Sequence, residues 1–281
     1  MEYFEVEQRG PIQIWKINNP PMNYMTGPLS RELVQLIGKL EGDDSTRVLI
    51  ITGGVEGKFI THYSVDELAA SGGNDPGETL RVMPRFFAAS HRTLNRIMLL
   101  PQAVIAAING DCMGGGYELA LACDFRLAAD GPYQIGLIEV LLGLLPGGGG
   151  TQRLTRLIGR GAALEALMFG TAYSPAEAHR IGMVNRVVQP GQLMTTAMQW
   201  AETLAQRPPR SIAAIKRCVY LGGDRDLETG LYVERNEMAG LIISEDARTS
   251  METYNAAVAK DPTQARNNFL RGIGLPPTKG R

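Results

Sequence analysis

Through residues 1–188, short aliphatic and β-branched runs alternate with longer stretches of helical periodicity, and this alternation limits the chain to α/β architectures with a largely parallel sheet. Ile12-Gln13-Ile14-Trp15-Lys16-Ile17 reads as a strand. Residues 28–40 read as a helix, because Leu29, Leu33, Leu36, Ile37 and Leu40 recur at spacings of three and four. Val48-Leu49-Ile50-Ile51-Thr52 is a buried strand that stops at Gly53-Gly54. Residues 71–77 are a loop by their Gly, Ser, Asn and Pro content, and 84–100 are helical. A second buried strand follows at 103–109, then a helix at 114–123, a strand at 125–129 and a helix at 151–158. After about Val188 strand signals fade, leaving helices near 193–205, 209–220 and 227–243. The expected organisation is an α/β body over 1–188 and a helical region over 189–281, without internal repeats.

Composition narrows the function classes. A chain of 281 residues, 44% hydrophobic and 20% charged, has ample material for a core. Its 28 Lys and Arg against 29 Asp and Glu give a formal charge of −1, so bulk electrostatics favours neither nucleic acid nor an anionic membrane. Cys112, Cys123 and Cys218 are widely spaced and odd in number, which disfavours a disulfide framework and a metal site. Met1-Glu2-Tyr3-Phe4-Glu5 does not resemble a signal peptide, and Gly, Pro or charge interrupts every apolar run before it reaches membrane-spanning length. A soluble protein in a reducing, cytoplasmic setting is expected.

The chemistry concentrates at two carboxylates. Gly114-Gly115-Gly116-Tyr117-Glu118 stands where a strand gives way to a helix, and three residues without Cβ let backbone N–H groups approach a ligand at a positive helix end. Such a turn is a natural oxyanion site. It is neither a dinucleotide fingerprint nor a phosphate loop, since the spacing differs and no Lys-Ser or Lys-Thr follows. Glu118, in the first helical turn, is expected to be ionised by the helix dipole and ready as a base. Glu139 lies among Ile135, Leu137, Ile138, Val140, Leu141 and Leu142, and burial there is expected to raise its pKa and suit it to act as an acid. Two carboxylates in unlike settings can divide acid and base work. The bland readings are a solvated charge at a helix start for Glu118 and an exposed position on a short helix or edge strand for Glu139.

Five blocks together resemble the crotonase, or enoyl-CoA hydratase/isomerase, superfamily. They are Asn19-Pro20-Pro21-Met22-Asn23, Leu49-Ile50-Ile51-Thr52-Gly53, Ile105-Ala106-Ala107-Ile108-Asn109-Gly110, the run from Gly114 through Glu118 to Asp124, and the run from Glu139 through Pro146-Gly147-Gly148-Gly149-Gly150 to Thr151-Gln152-Arg153-Leu154. The implied fold is α/β, a crotonase-like spiral of ββα units with a helical C-terminal region used in trimerisation, as a homotrimer or a dimer of trimers. The implied activity is hydration of a 2-enoyl-CoA thioester, with no cofactor besides the CoA that the substrate carries. By resemblance, the backbone N–H groups of Tyr63 and Gly115 form the oxyanion hole, Glu118 activates water for attack at Cβ, and Glu139 protonates Cα. Gly147 matches a position that seats the water. Met22, Lys58, Phe59 and His62 lie in segments that border the substrate, although Lys58 reads equally well as a solvated loop charge.

Departures from the family pattern bear on the substrate. Where relatives carry a stretch like Ala-Gly-Ala-Asp-Ile, this chain has Thr61-His62-Tyr63-Ser64-Val65, so His62 and Tyr63 can narrow the pocket or add a proton-transfer group. The segment 71–90 is long, one extra residue stands near Gly131-Pro132, and 261–281 lacks the family's usual basic ending. An enoyl-CoA isomerase needs mainly a proton shuttle and is the first alternative. A hydrolase or dehalogenase is suggested by His91, which falls where halobenzoyl-CoA dehalogenases carry a base, but the Asp those enzymes need near Pro146 is missing. A scaffold or RNA-binding role fits poorly with the near-zero charge and intact Glu pair. The basic residues from Arg207 to Arg217 read as a solvated face, and Met83, Met98, Met113 and Met168 as core or pocket filling.

Overall fold

In the computed structural model, the described residues are all of 1–281 except 72, 74, 275, 277 and 279–281. The chain opens with strands β1 (Phe4–Arg9) and β2 (Ile12–Ile17), helix α1 (Gly27–Glu41), strands β3 (Val48–Gly53) and β4 (Gly57–Ile60), and helices α2 (Val65–Ser71) and α3 (Pro76–Leu99). Next come β5 (Ala103–Ile108), β6 (Gly110–Met113), α4 (Gly115–Ala122), β7 (Phe125–Ala129), β8 (Ile135–Gly136) and a 3₁₀ turn over Glu139–Leu142. Helices α5 (Gly150–Ile158) and α6 (Arg160–Phe169), strand β9 (Ala172–Tyr173), helix α7 (Pro175–Arg180), strand β10 (Arg186–Val188) and helix α8 (Leu193–Ala205) follow. The remaining helices are α9 (Pro209–Arg217), α10 (Leu227–Ile242), α11 (Glu245–Lys260) and α12 (Pro262–Leu270). Two compact units divide the chain, Met1–Glu202 and Thr203–Arg281.

The first unit contains two sheets that the chain visits in turn. One has the order β1-β2-β3-β5-β7-β10 and the other β4-β6-β8-β9. β3, β5 and β7 run parallel in the first sheet, and β4, β6 and β8, which directly follow them in sequence, run parallel in the second. Each pair contributes one strand to each sheet before a helix returns the chain, which is the ββα spiral. β3 and β5 are continuous apolar runs because both faces are covered; every residue from Val48 to Ile51 and from Ala103 to Ile108 is buried. Asn109 fastens the corner between sheets, its Oδ1 accepting from Gly53 N–H at 2.9 Å and its Nδ2 donating to Gly53 C=O at 3.2 Å.

Helix α4 runs through the middle of this unit with every residue from Gly116 to Ala122 buried. Its C-terminal carbonyls are held by buried Arg126, whose guanidinium donates to Ala120 O at 3.2 Å and Cys123 O at 2.8 Å. A cation there complements the helix dipole and satisfies acceptors that would otherwise be orphaned. In the second unit the stretch expected to be helical over 209–220 leaves α-geometry at Arg217 and passes through a π turn, Cys218–Gly222.

Residues 71–77 differ from the expected loop. α2 extends through Ser71 and α3 starts at Pro76, capped by Asp75 Oδ1, which accepts from Gly77 N–H at 2.8 Å; Gly72 and Asn74 lie outside the described residues. Pro84, expected at the helix start, is inside α3. Within 261–281, α12 occupies Pro262–Leu270, and residues 275, 277 and 279–281 lie outside the described residues. Among the described residues no helix is long and apolar enough to cross a membrane.

Candidate active site

Glu118 and Glu139 face a common region walled by glycines. Gly114 precedes α4 with φ 50°, a left-handed conformation that suits a residue without Cβ, and a Cβ there would come within 3.1 Å of Glu139 Oε1 and 3.5 Å of His62 Cβ. A Cβ on Gly148 would lie 2.4 Å from Glu118 Oε2, so the loop backbone is pressed against this carboxylate.

Glu118 is 5% exposed, and Gly150 N–H donates to its Oε1 at 2.7 Å. Burial raises its pKa above the usual carboxylate range, opposed by the Gly150 and Gly148 amides and by the positive charge of Arg153 and His91. This corrects the expectation of a base poised by the helix dipole. Desolvation dominates, and the groups that favour the carboxylate are Gly148, the start of α5 and His91 on α3, not the carboxylate's own helix.

Glu139 opens the 3₁₀ turn, and its pKa is pushed up to about 7 by burial, with its own backbone N–H working against the shift and the Glu118 charge adding to it. Its Oε2 is buried without a hydrogen-bond partner. The direction and its cause, burial, agree with the expectation, but not all of the expected neighbours supply the cover. Leu141 and Leu142, its neighbours in sequence, are 68% and 59% exposed, so the burial comes from the Gly114 and His62 side of the region.

Two amide donors adjoin the carboxylates. Tyr63 bridges Met25 in parallel register, with Met25 N–H donating to His62 O at 2.9 Å and Ser64 N–H donating to Met25 O at 2.8 Å. That pairing uses the groups flanking Tyr63 and turns its own N–H the other way, toward Gly115, where a Cβ would lie 3.7 Å from Tyr63 N. Gly115 is the first residue of α4, so its N–H has no partner within the helix. The Tyr63 hydroxyl donates to Glu67 Oε2 at 3.3 Å, and burial together with the Glu67 charge pushes its pKa up to about 12. Its ring stands edge-on to Phe86 at 6.2 Å, and Phe86 stands edge-on to Phe87 at 5.3 Å.

The other sequence candidates occupy varied settings. Met22 C=O accepts from the Thr61 hydroxyl, and neighbouring Asn23, fully buried, donates to Phe59 O at 2.5 Å, so residues 22–25 are bound along 59–64. The Phe59 side chain is fully buried in the core and presents no surface to a ligand. Lys58 Nζ pairs with Asp111 Oδ2 at 2.7 Å, with both side chains mostly covered, so it is not a freely solvated charge. His62 Nδ1–H donates to Tyr63 O at 2.7 Å, and its ring lies on Tyr24 with centroids 4.6 Å apart. Gly147 is covered by the Phe87 ring, which a Cβ would meet at 2.4 Å, and its C=O accepts from His91 Nε2–H at 2.7 Å. His91 is thus engaged with the loop backbone.

Sequence reasoning missed the loop supports Asn95 and Arg153. Arg153 donates to Gly148 O at 2.8 Å and to Asn95 Oδ1 at 2.7 Å. The available signal was an arginine one helical turn past four successive glycines, a place where a long donor can reach back to the loop carbonyls. Among the described residues no three His, Cys, Asp or Glu side chains are grouped to hold a metal ion, and Cys112, Cys123 and Cys218 are free thiols.

The sequence profile of the enoyl-CoA hydratase/isomerase family matches residues 7–260. The chain belongs to this family. It is 32% identical over 251 residues to the short-chain-enoyl-CoA hydratase of Clostridium acetobutylicum, across 89% of this chain and 93% of that one. It is also similar, at 29% over 302 residues, to the fatty acid oxidation complex subunit alpha of Shewanella baltica, where it spans 42% of the longer protein. The crystal structure of an enoyl-CoA hydratase from Bacillus anthracis superimposes with a TM-score of 0.84 at 32% identity, covering 99% of this chain and 100% of the other. One from Geobacillus kaustophilus gives a TM-score of 0.85 at 30% identity, covering 99% and 97%. The crotonase fold expected from the sequence is therefore the fold of this family member.

Proposed function

We propose that this protein is an enoyl-CoA hydratase, a hydro-lyase that adds water across the 2,3 double bond of a 2-enoyl-CoA thioester to give a 3-hydroxyacyl-CoA. The observation that carries this reading is the pair of carboxylates, buried Glu118 and partly buried Glu139, beside the Tyr63 N–H that the Met25 pairing leaves unused and the Gly115 N–H at the start of α4. The hydratases of Clostridium acetobutylicum and Bacillus anthracis, which match across nearly their full length, support it.

In this mechanism the thioester oxygen accepts from the Tyr63 and Gly115 amides, which lower the energy of the enolate as charge develops. Glu118 takes a proton from water as the water oxygen bonds to Cβ, and the π electrons move through Cα to the thioester oxygen. Glu139, protonated near neutral pH, then gives its proton to Cα as the carbonyl re-forms. The product carries OH on Cβ and H on Cα, which balances the addition, and the steps use no cofactor besides the CoA of the substrate. Two carboxylates with separate supports favour hydration over isomerisation, which needs one proton shuttle. The Gly147 amide is read as seating the water, with Met22, Lys58 and His62 along the thioester path.

Assembly as a homotrimer or a dimer of trimers is supported by α10, a 16-residue helix with no buried residue that exposes Leu227, Leu231, Tyr232, Met238 and Ile242. Three free thiols support a reducing, cytoplasmic setting. Hydration of crotonyl-CoA, followed as loss of the conjugated thioester absorbance, tests the function.

A further inference from the structure

Glu118 accepts a hydrogen bond from the last residue of Gly147-Gly148-Gly149-Gly150, a run with no side chain to anchor it and with the largest conformational entropy of any four residues. Something must hold the peptide planes that turn N–H groups toward the carboxylate. Apart from Pro20-Pro21 the described peptide bonds are trans, so in each plane the C=O points opposite to the next residue's N–H. Fixing one carbonyl therefore aims the following amide.

The two planes that serve Glu118 are held differently. The Gly149 C=O accepts from Gln152 N–H at 3.1 Å and Arg153 N–H at 2.9 Å, so the first turn of α5 fixes the plane carrying the Gly150 N–H. The Gly147 C=O, whose plane carries the Gly148 N–H, accepts from a side chain, His91 Nε2–H at 2.7 Å. His91 stands one turn before Asn95 on α3, and Asn95 in turn holds Arg153. We propose that His91 is a positioning residue, which by gripping the Gly147 carbonyl aims the Gly148 amide at Glu118 and keeps this carboxylate in its basic form. The inference rests on the hydratase reading for its effect on rate, but its effect on Glu118 itself is independent of that reading. His91 is exposed, so it can be changed without opening the core.

The test compares wild type with His91→Leu, which lacks the donor, and His91→Gln, which offers an amide N–H from a similar reach. With crotonyl-CoA, His91→Leu is expected to lower kcat about tenfold with KM within about twofold. Its acid limb of kcat/KM, where the base gains its proton, should move to higher pH, because a Gly148 amide no longer aimed at Glu118 stops favouring the charged form. His91→Gln should recover most of the loss, although it lacks the ring that also acts on Glu118 electrostatically beside Arg153, with Glu139 the other charged group coupled to this carboxylate. Wild-type rate and acid limb in His91→Leu would overturn the proposal, as would equal losses in both variants. A carboxyl-carbon NMR titration of Glu118 gives a readout that does not depend on activity. An unshifted Glu118 in His91→Leu, or an equal shift in both variants, refutes the positioning role, whereas a Glu118 shifted in His91→Leu and largely restored in His91→Gln upholds it even in a protein that never hydrates crotonyl-CoA, which refutes the hydratase reading alone.

Discussion

The N–H of Gly150 meets Oε1 of Glu118 at 2.7 Å across 32 positions of the chain, and Gly148 lies against Oε2 of the same carboxylate. Glu118 is therefore placed by a loop backbone more than by its own helix. The loop can come this close only while those positions lack side chains.

Gly148→Ala should separate activity from stability. Its new methyl would fall 2.4 Å from Glu118 Oε2, the end of a flexible side chain that can swing aside at small energetic cost to the fold. Displacing the base should lower kcat by about 100-fold, while the variant unfolds within a few degrees of wild type. Paired kinetic and thermal-unfolding measurements check this.

Much of this arrangement was legible in the sequence, and the remainder was illegible for physical reasons. β3 and β5 could be read because strands covered on both faces are continuous apolar runs. Gly57-Lys58-Phe59-Ile60 and Gly110-Asp111-Cys112-Met113 could not, because four mixed residues opening on glycine carry no period, and the sheet between them forms only through distant pairing. Pro84 reads as a helix start by its usual preference, yet packing carries α3 through it. The Glu pair was visible from its glycine-rich surroundings. The cradle of Glu118, the covered position of Phe59 and the Lys58–Asp111 pair depend on residues remote in sequence, which no local pattern encodes.

Glu139 should make stability depend on pH with a definite sign. Its folded pKa is raised from 4.5 to about 7, so the native state holds a proton that the unfolded state has lost over this window, and stability falls as pH rises through it. Glu139→Gln removes that loss. The variant should gain on wild type as pH increases from about 5 to about 8, by on the order of 2–3 kcal/mol at most. Urea unfolding at both pH values measures the difference, and a gap that widens toward acid pH would contradict the assignment.

Tyr63 should matter through its backbone. Tyr63→Ala keeps the N–H and removes the ring that packs on Phe86, so crotonyl-CoA hydration should persist with an altered preference for acyl length. Tyr63→Pro deletes the donor and should lower kcat by about 100-fold or more, the scale of losing one oxyanion contact. Circular dichroism confirms that both variants fold, and steady-state kinetics on 2-enoyl-CoA thioesters of two lengths separates them.

The most direct measurement is crotonyl-CoA hydration by wild type, Glu118→Gln and Glu139→Gln. The two-carboxylate account predicts an active wild type and a fall in kcat of about 100-fold or more in each variant, with KM little changed. A Glu118→Gln protein that hydrates at the wild-type rate, or one that loses hydration while still moving the double bond of a 3-enoyl-CoA, would contradict it.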